Sequence, residues 1–183
     1  MTISGFSYIR NGFKYQYPFL QSIQTLLLFC DEVVVAVGQS TDGTWEALGE
    51  LQKNNPQLQL IDTVWDEKLR QSGKVFAQQA NIALRACTGD WIFHLQADEL
   101  IHQNDIPLIK KTIADIHNNL NINGLLLDFL HFTAIINIWT RAVGDTRAKF
   151  GLYAISSKFF LTKIRKAFAN TQAGKIMKMA IKV

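Results

Sequence analysis

Apolar residues over the first two-thirds of the chain switch between strand-like runs and the three-to-four spacing of helices. Ile3 to Ile9 predicts a first strand, closed by the loop-forming Arg10-Asn11-Gly12. Pro18 marks a helix start, and Phe19, Ile23, Leu26, Leu27 and Cys30 recur behind it at helical spacing. Glu32 to Val37 carries the β-branched run of a strand buried on both faces. Gly38 to Gly43 predicts a loop, and Thr44 to about Asn54 a helix with Trp45, Leu48 and Leu51 inward. Leu58 to Val64 predicts a third strand. Ser72 is placed to cap a helix whose Val75, Phe76, Gln79, Ile82, Ala83 and Ala86 face one way. Gly89-Asp90 turns into a strand at Trp91–Leu95. Ile106, Ile109, Ile113, Ile116 and Leu120 mark another helix with Pro107 in its first turn, and Gly124 opens the strand-like run Leu125–Phe132.

Strands alternating with helices in this order predict an α/β fold, a mostly parallel sheet flanked by helices on both faces. Such a sheet binds ligands at the C-terminal ends of its strands. Three loops should therefore converge: Tyr8–Asn11, Val37–Asp42 and Gln96–Glu99.

The third loop holds the main chemical candidate. An apolar strand breaks there into Asp98-Glu99, and a hard divalent cation on a diphosphate needs only one or two carboxylates besides phosphate oxygens. The competing reading is a strand running into a solvated turn. The second loop, Gly38 to Thr44, combines glycines with Ser40 and Asp42, which can cap the following helix or meet a ribose or base. It is neither a Walker loop nor GxGxxG. Lys68, Arg70 and Lys74 lie just ahead of the third helix, where cations beside a helix N-terminus can hold a diphosphate or simply be solvated. His94 falls inside a strand and reads as a hydrogen-bonded core histidine, whereas His131 lies near a strand end that can reach the site. No Ser/His/Asp or Cys/His arrangement stands out.

Charge divides the chain. Residues 1–132 carry 9 Lys/Arg against 14 Asp/Glu, and residues 133–183 carry 10 against the single Asp145. The formal net charge of +4 thus averages two unlike segments, a 1–132 region and a basic tail. No uncharged apolar run of about 18 residues predicts a membrane span. Arg10, Asn11 and Lys14 interrupt any signal-peptide pattern. Cys30 and Cys87 read as separate free thiols in a reducing compartment.

Phe6 to Asn11, Asp31 to Val35, Ser40 to Thr44, Gln79 to Leu84 and Thr88 to Phe93, in that order, resemble the front half of a family 2 glycosyltransferase of the GT-A fold. The resemblance covers residues 3–132 and makes the sheet GT-A, Rossmann-like and incomplete at its C-terminal end. The family's Asp-x-Asp motif falls on Gln96-Ala97-Asp98. The resemblance implies that Asp98 binds Mn²⁺ or Mg²⁺ on the donor diphosphate and that Gln96 faces the ribose. It implies that Ser7, Arg10, Asn11, Ser40 and Asp42 surround the nucleotide, to which the cation argument adds Arg70. A nucleotide-sugar donor, a glycan or lipid-linked acceptor and a role in surface glycan synthesis follow from it, with the protein cytoplasmic or peripheral on the inner face of the membrane.

The chain departs from the family in three places. Val37-Gly38 stands where Asp-Asp is common, so a usual contact to the base is missing. Gln96 replaces one motif carboxylate. The 133–183 tail does not resemble the expected continuation, which supplies the acceptor pocket and the base. A shifted reading frame or truncation would produce such a tail, and a downstream open frame at the locus would establish it. Without its last strands the sheet would leave Leu125–Phe132 at an exposed edge. An authentic tail would instead offer a basic amphipathic helix around Phe159–Phe168 for an anionic membrane. A non-catalytic nucleotide-binding remnant and a surface-binding protein acting through the tail are the alternatives to an active transferase. No nucleic-acid motif supports a nucleic-acid partner.

Overall fold

Five apolar residues in a row, Val33 to Val37, need cover on both faces of a sheet, and all five are fully buried. They lie in β2 (Glu32–Gly38), which pairs in parallel with β1 (Ile3–Ile9) on one side and β3 (Leu58–Thr63) on the other. β1 pairs in parallel with β4 (Trp91–His94) on its second edge. The computed structural model describes residues 1–119, 122–127, 151–156 and 175–179 of the chain. Within them the sheet order is β3-β2-β1-β4-β6-β5-β7, where β5 is Ile122–Leu127, β6 Gly151–Ser156 and β7 Lys175–Met179. β6 runs antiparallel to β4 and β5, and β7 runs parallel to β5. The basic segment thus supplies two strands, and β5 lies between them instead of at an open edge. Leu120, residues 128–132 of the expected last strand (His131 among them) and the Phe159–Phe168 segment lie outside the described residues.

The helices are α1 (Phe19–Leu27), α2 (Thr44–Lys53), α3 (Lys74–Ala86) and α4 (Ile106–Ile116). The main core packs Phe19, Ile23 and Leu26 of α1, Leu48 of α2 and Ile109, Ile113 and Ile116 of α4 against Ile3, Ile9, Val33, Val35, Val37 and Phe93. The opposite face is smaller: Ala83 and Leu84 of α3 cover Phe6, Val34, Ala36 and Ile92. Strand residues alternate between the two cores, as the pleat requires.

Two inward assignments and one cap change. Trp45 and Phe76, each in the first turn of its helix, are 39% and 46% exposed, and the Phe76 ring meets Tyr8 and Trp65. The residue that starts α3 is Gly73, not Ser72. Its φ of 67° is a left-handed conformation that glycine adopts without strain, and no side chain caps the helix.

A parallel sheet has no hairpins to fix its register, so something else must pin the strands at their N-terminal ends. The carboxylate of Glu32 does this. Its Oε1 accepts from Ser4 Oγ of β1, from Thr88 N–H, and from Thr88 Oγ1 at 2.9 Å. Ser4 Oγ also accepts the Gly89 N–H at 2.6 Å, which closes the entry to β4. Burial pushes the Glu32 carboxyl up, but these hydrogen bonds outweigh it and hold the group below the usual carboxylate range. Asp31 Oδ2 accepts the Ile3 N–H at 2.7 Å and Asp90 Oδ2 the Thr2 N–H at 2.8 Å, which fixes the start of β1 from both sides.

This clamp leaves no room at Gly89: a Cβ there would lie 2.5 Å from Ser4 Oγ and 2.7 Å from the Ser4 nitrogen. Gly89→Ala is expected to lower unfolding free energy by about 1–3 kcal/mol, the usual range for overpacking a closed site. Urea denaturation of the two proteins measures it, and an unchanged midpoint would show the clamp to be loose.

Candidate functional site

With the strands pinned below, β1, β2 and β3 end within a residue of one another, β4 stops at His94 opposite Phe6, and the loops after all four emerge at the same end of the sheet. The β1 and β2 loops are bolted together. Asn11 N–H donates to Ser40 Oγ at 3.0 Å, Asn11 Oδ1 accepts the Thr41 N–H at 3.0 Å, and Ser40 Oγ donates to Gly38 O at 2.8 Å. Asp42 accepts the Lys14 N–H at 2.8 Å and the Thr44 hydroxyl at 2.6 Å, while Thr44 Oγ1 accepts the Gly12 N–H at 2.8 Å. Asn11 adopts a φ of 54°, a strained conformation for a side chain other than glycine and one tolerated best by Asn. Gly43 at φ 87° starts α2, and Asp42 caps its Thr44 N–H at 3.1 Å. Asn11, Ser40 and Asp42 are thus brought together, with their polar atoms used on each other's backbones. Ser7 stands apart, fully buried inside β1 with its Oγ unpartnered.

Arg10 ties in the third loop. Its Nε donates to Gln39 O at 3.2 Å, its Nη1 reaches Glu67 Oε1 at 2.5 Å, and its guanidinium carbon stands 5.7 Å from the centre of the Trp65 ring. Glu67 opens a 3-10 turn, Glu67–Ser72, after β3, and its second oxygen takes Arg70 Nη1 at 3.3 Å. Hydrogen bonds from Arg10 first and Arg70 next hold the Glu67 carboxyl below its ordinary range. Arg70 also meets the Tyr15 phenol of the β1 loop. The Trp65 indole lies over Gly38 and fills the space a side chain would take there, since a Cβ would fall 2.7 Å from Trp65 Cδ1. Its Nε1 is buried without a partner. Lys68 and Lys74 are exposed.

At the end of β4, Glu99 Oε2 accepts the Gln96 N–H at 2.9 Å and Gln96 O accepts the Glu99 N–H at 3.0 Å, forming a tight turn. Ser22 of α1 fastens the turn by donating to Gln96 O at 2.9 Å. The side chains of Gln96 and Asp98 are exposed, and Ala97 between them is buried in the core. Tyr8 of β1 stands against this turn. Burial, then the charges of Asp98 and Glu99, raise its pKa, so the phenol stays a neutral donor. Behind it His94 stacks on Phe6 at 4.7 Å and on Tyr8 at 6.1 Å. The expected hydrogen-bonded core histidine is met only in part: His94 lies partly buried in this stack, its Nε2 is unpartnered, and burial lowers its pKa to about 4.

The crevice therefore has a guanidinium side, Arg10 and Arg70, and a carboxylate side, Asp98 and Glu99. Among the described residues no group of three or more His, Cys, Asp or Glu converges to hold a metal ion unaided. Exposed Asp98 fits the other kind of site, where a divalent ion takes one carboxylate and completes its shell on phosphate oxygens and water. Glu67 and Trp65 are the residues here that sequence reasoning missed, while it places Tyr8 in the converging first loop without a role of its own. Glu67's partner Arg10 lies 57 residues away, so no local spacing announces it.

A model of glycosyl transferase family 2 matches residues 19–122, more than half of the chain. No curated protein matches the sequence. Among solved structures, residues 1–349 of TarS from S. aureus share the fold with a TM-score of 0.53 and 21% identity, covering 76% of this chain and 39% of that one. TarS is also known in complex with UDP and with UDP-GlcNAc. The mannosyltransferase PcManGT from Pyrobaculum calidifontis, in complex with GDP-Man and Mn²⁺, superposes with a TM-score of 0.52 and 22% identity over 68% of this chain and 34% of its own. A 4-diphosphocytidyl-2C-methyl-D-erythritol synthase from Anaerococcus prevotii gives a TM-score of 0.58 at 11% identity, over 98% and 86%. The chain spans about two-fifths of the TarS fragment, and at these identities the likeness is one of fold.

His94 makes stability depend on pH. Its pKa of about 4 lies below the unfolded value of 6.5, so between these limits the unfolded chain binds more protons and folding weakens as pH falls. The effect should amount to about 3 kcal/mol by pH 4. His94→Phe keeps the stack and removes the titration. Denaturation at several pH values should therefore show wild type losing stability relative to the variant below pH 6.5. Parallel curves would refute the assignment.

Proposed function

The chain belongs to glycosyl transferase family 2, and on that premise we propose that it binds a nucleotide-sugar and transfers the sugar to a hydroxyl acceptor. The observation that carries the reading is the bipolar crevice at four parallel strand ends, guanidinium groups on one side and the exposed Asp98 on the other. The UDP-GlcNAc and GDP-Man complexes of the structural neighbours support a donor of this class. Arg10 and Arg70 would take diphosphate oxygens, and Gln96 would offer its amide to the ribose. The Asn11–Ser40–Asp42 clamp would hold the loops that line the nucleoside rather than spend those polar groups on it. A Mn²⁺ or Mg²⁺ ion held by Asp98 would neutralise charge on the departing diphosphate. The Tyr8 phenol, kept protonated beside Asp98 and Glu99, would donate to an oxygen of the bound donor.

A glycan or lipid-linked acceptor and a place in surface glycan synthesis extend the same reading. In it residues 1–132 form the donor-binding region. The basic 133–183 segment gives peripheral contact with an anionic membrane on the cytoplasmic side. No helix among the described residues is long and apolar enough to cross a membrane.

Thermal-shift titration with UDP, GDP and their sugars, with and without Mn²⁺, tests the reading, because a ligand bound only by the folded state raises the midpoint by mass action. A metal-dependent rise that Asp98→Ala abolishes is the expected result. Metal-dependent binding that survives in Asp98→Ala would remove Asp98 from the metal. No response to any nucleotide would favour a remnant whose donor site has decayed.

A further inference from the structure

We infer that Glu67 is an internal stand-in for a ligand's phosphate, its carboxylate occupying an anion site built by Arg10 and Arg70 from which an entering diphosphate-type anion displaces it. The inference deepens the proposed donor site and rests on it only for the identity of the natural anion.

Two guanidinium groups from different loops converge on the two oxygens of one carboxylate, at 2.5 and 3.3 Å. A guanidinium fork matches carboxylate and phosphate oxygens equally well. Whatever anion sits between these arginines is held by geometry that does not distinguish the two chemistries. Arg10 keeps its place without Glu67, and the more exposed Arg70 has a second neighbour. Arg10 is fixed by Gln39 O and by the Trp65 ring, which itself packs on Gly38, and Arg70 also touches Tyr15.

The Glu67 side chain is 54% exposed, between 30% for Arg10 and 62% for Arg70, so it is loose relative to the Arg10 side of the site. The turn that carries it is capped separately by Asp66, which accepts the Lys68 N–H at 2.9 Å. The carboxylate can swing into solvent without unwinding that turn. Exposed ion pairs contribute little, so a diphosphate with at least two charges outcompetes a single carboxylate at the same two forks. The latch has two consequences. It keeps the guanidinium groups paired when no donor is present, and it lowers affinity for any anion that must first expel it.

The test uses the full chain and inorganic pyrophosphate in metal-free buffer containing EDTA, so that neither Asp98 nor a sugar contributes. Calorimetric titration compares wild type, Glu67→Gln and the double variant Glu67→Gln/Arg70→Ala. Glu67→Gln should bind pyrophosphate about fivefold more tightly than wild type, the scale of one or two exposed ion pairs. The double variant should lose that gain. Equal or weaker binding by Glu67→Gln, a gain that persists in the double variant, or no pyrophosphate binding by any form would each overturn the latch. A fivefold gain for pyrophosphate with no response to any UDP- or GDP-sugar would leave the latch standing and remove the glycosyltransferase reading.

Discussion

The Glu32 carboxylate is the constraint from which the site's geometry follows. It gathers Ser4 of β1 and Thr88 before β4 onto β2, so three strands that never meet through a hairpin start at one level. β1, β2 and β3 end within a residue of one another and the shorter β4 three residues earlier, and in a parallel sheet that end is where four successive loops must emerge. Without the common base, a one-residue slip would carry Val33, Val35 and Val37 to the α3 face and turn the crevice floor over with them. The hydrogen bonds at the base thus set which side chains stand at the top.

Above the sheet a second set of polar contacts does for the loops what Glu32 does for the strands. Asp42, Ser40 and Asn11 satisfy backbone groups across the β1 and β2 loops, and Arg10 brings in the β3 turn through Gln39 O and Glu67. A polar residue at a strand end is therefore not automatically addressed to a ligand. Burial pushes the Asp42 carboxyl up, but the hydrogen bonds it accepts from Thr44 and Lys14 together outweigh that and hold it below the usual range. It is occupied as scaffold. In the proposed reading the groups left for a ligand are Arg10, Arg70, Gln96, Asp98 and the Tyr8 phenol.

This division explains what the sequence makes legible. Strand and helix periods are local, so β1 to β4 and α1 to α4 can be read from Val33–Val37 or from Phe19, Ile23 and Leu26 directly. The level of convergence at Asn11, Ser40 and Asp98 follows from strand order alone. Helical spacing, however, does not say which turns of a helix the sheet covers, and it places Trp45 and Phe76, both in first turns, inward when both are exposed. Nor does it show pairing across distance: Glu67 looks like any solvated turn acid until Arg10, from another loop, lands on it. The vacancy at Gly38 has the same character. Its missing side chain reads as a lost contact in the sequence, while in the fold the Trp65 indole occupies the space.

That substitution of an indole for a side chain bears on how the crevice is polarised. A carboxylate at position 38 would stand beside Arg10, whose Cβ already lies 3.0 Å from where a Gly38 Cβ would be, and would compete with Glu67 for its guanidinium. With Trp65 there instead, the carboxylate that meets both arginines is the exposed Glu67, while Asp42 and Asp66 accept from backbone N–H groups. The β4 side carries the exposed Asp98, and Glu99, whose Oε2 accepts the Gln96 N–H. Charge is separated across the width of β1, and the two sides need opposite partners. In the proposed reading one ligand serves both, with diphosphate oxygens on the arginines and a cation between those oxygens and Asp98. The Coulomb attraction between oppositely charged sides is strong only at short range and in a dry site. A crevice this open therefore gains its selectivity from the ligand that closes the gap, not from the empty site.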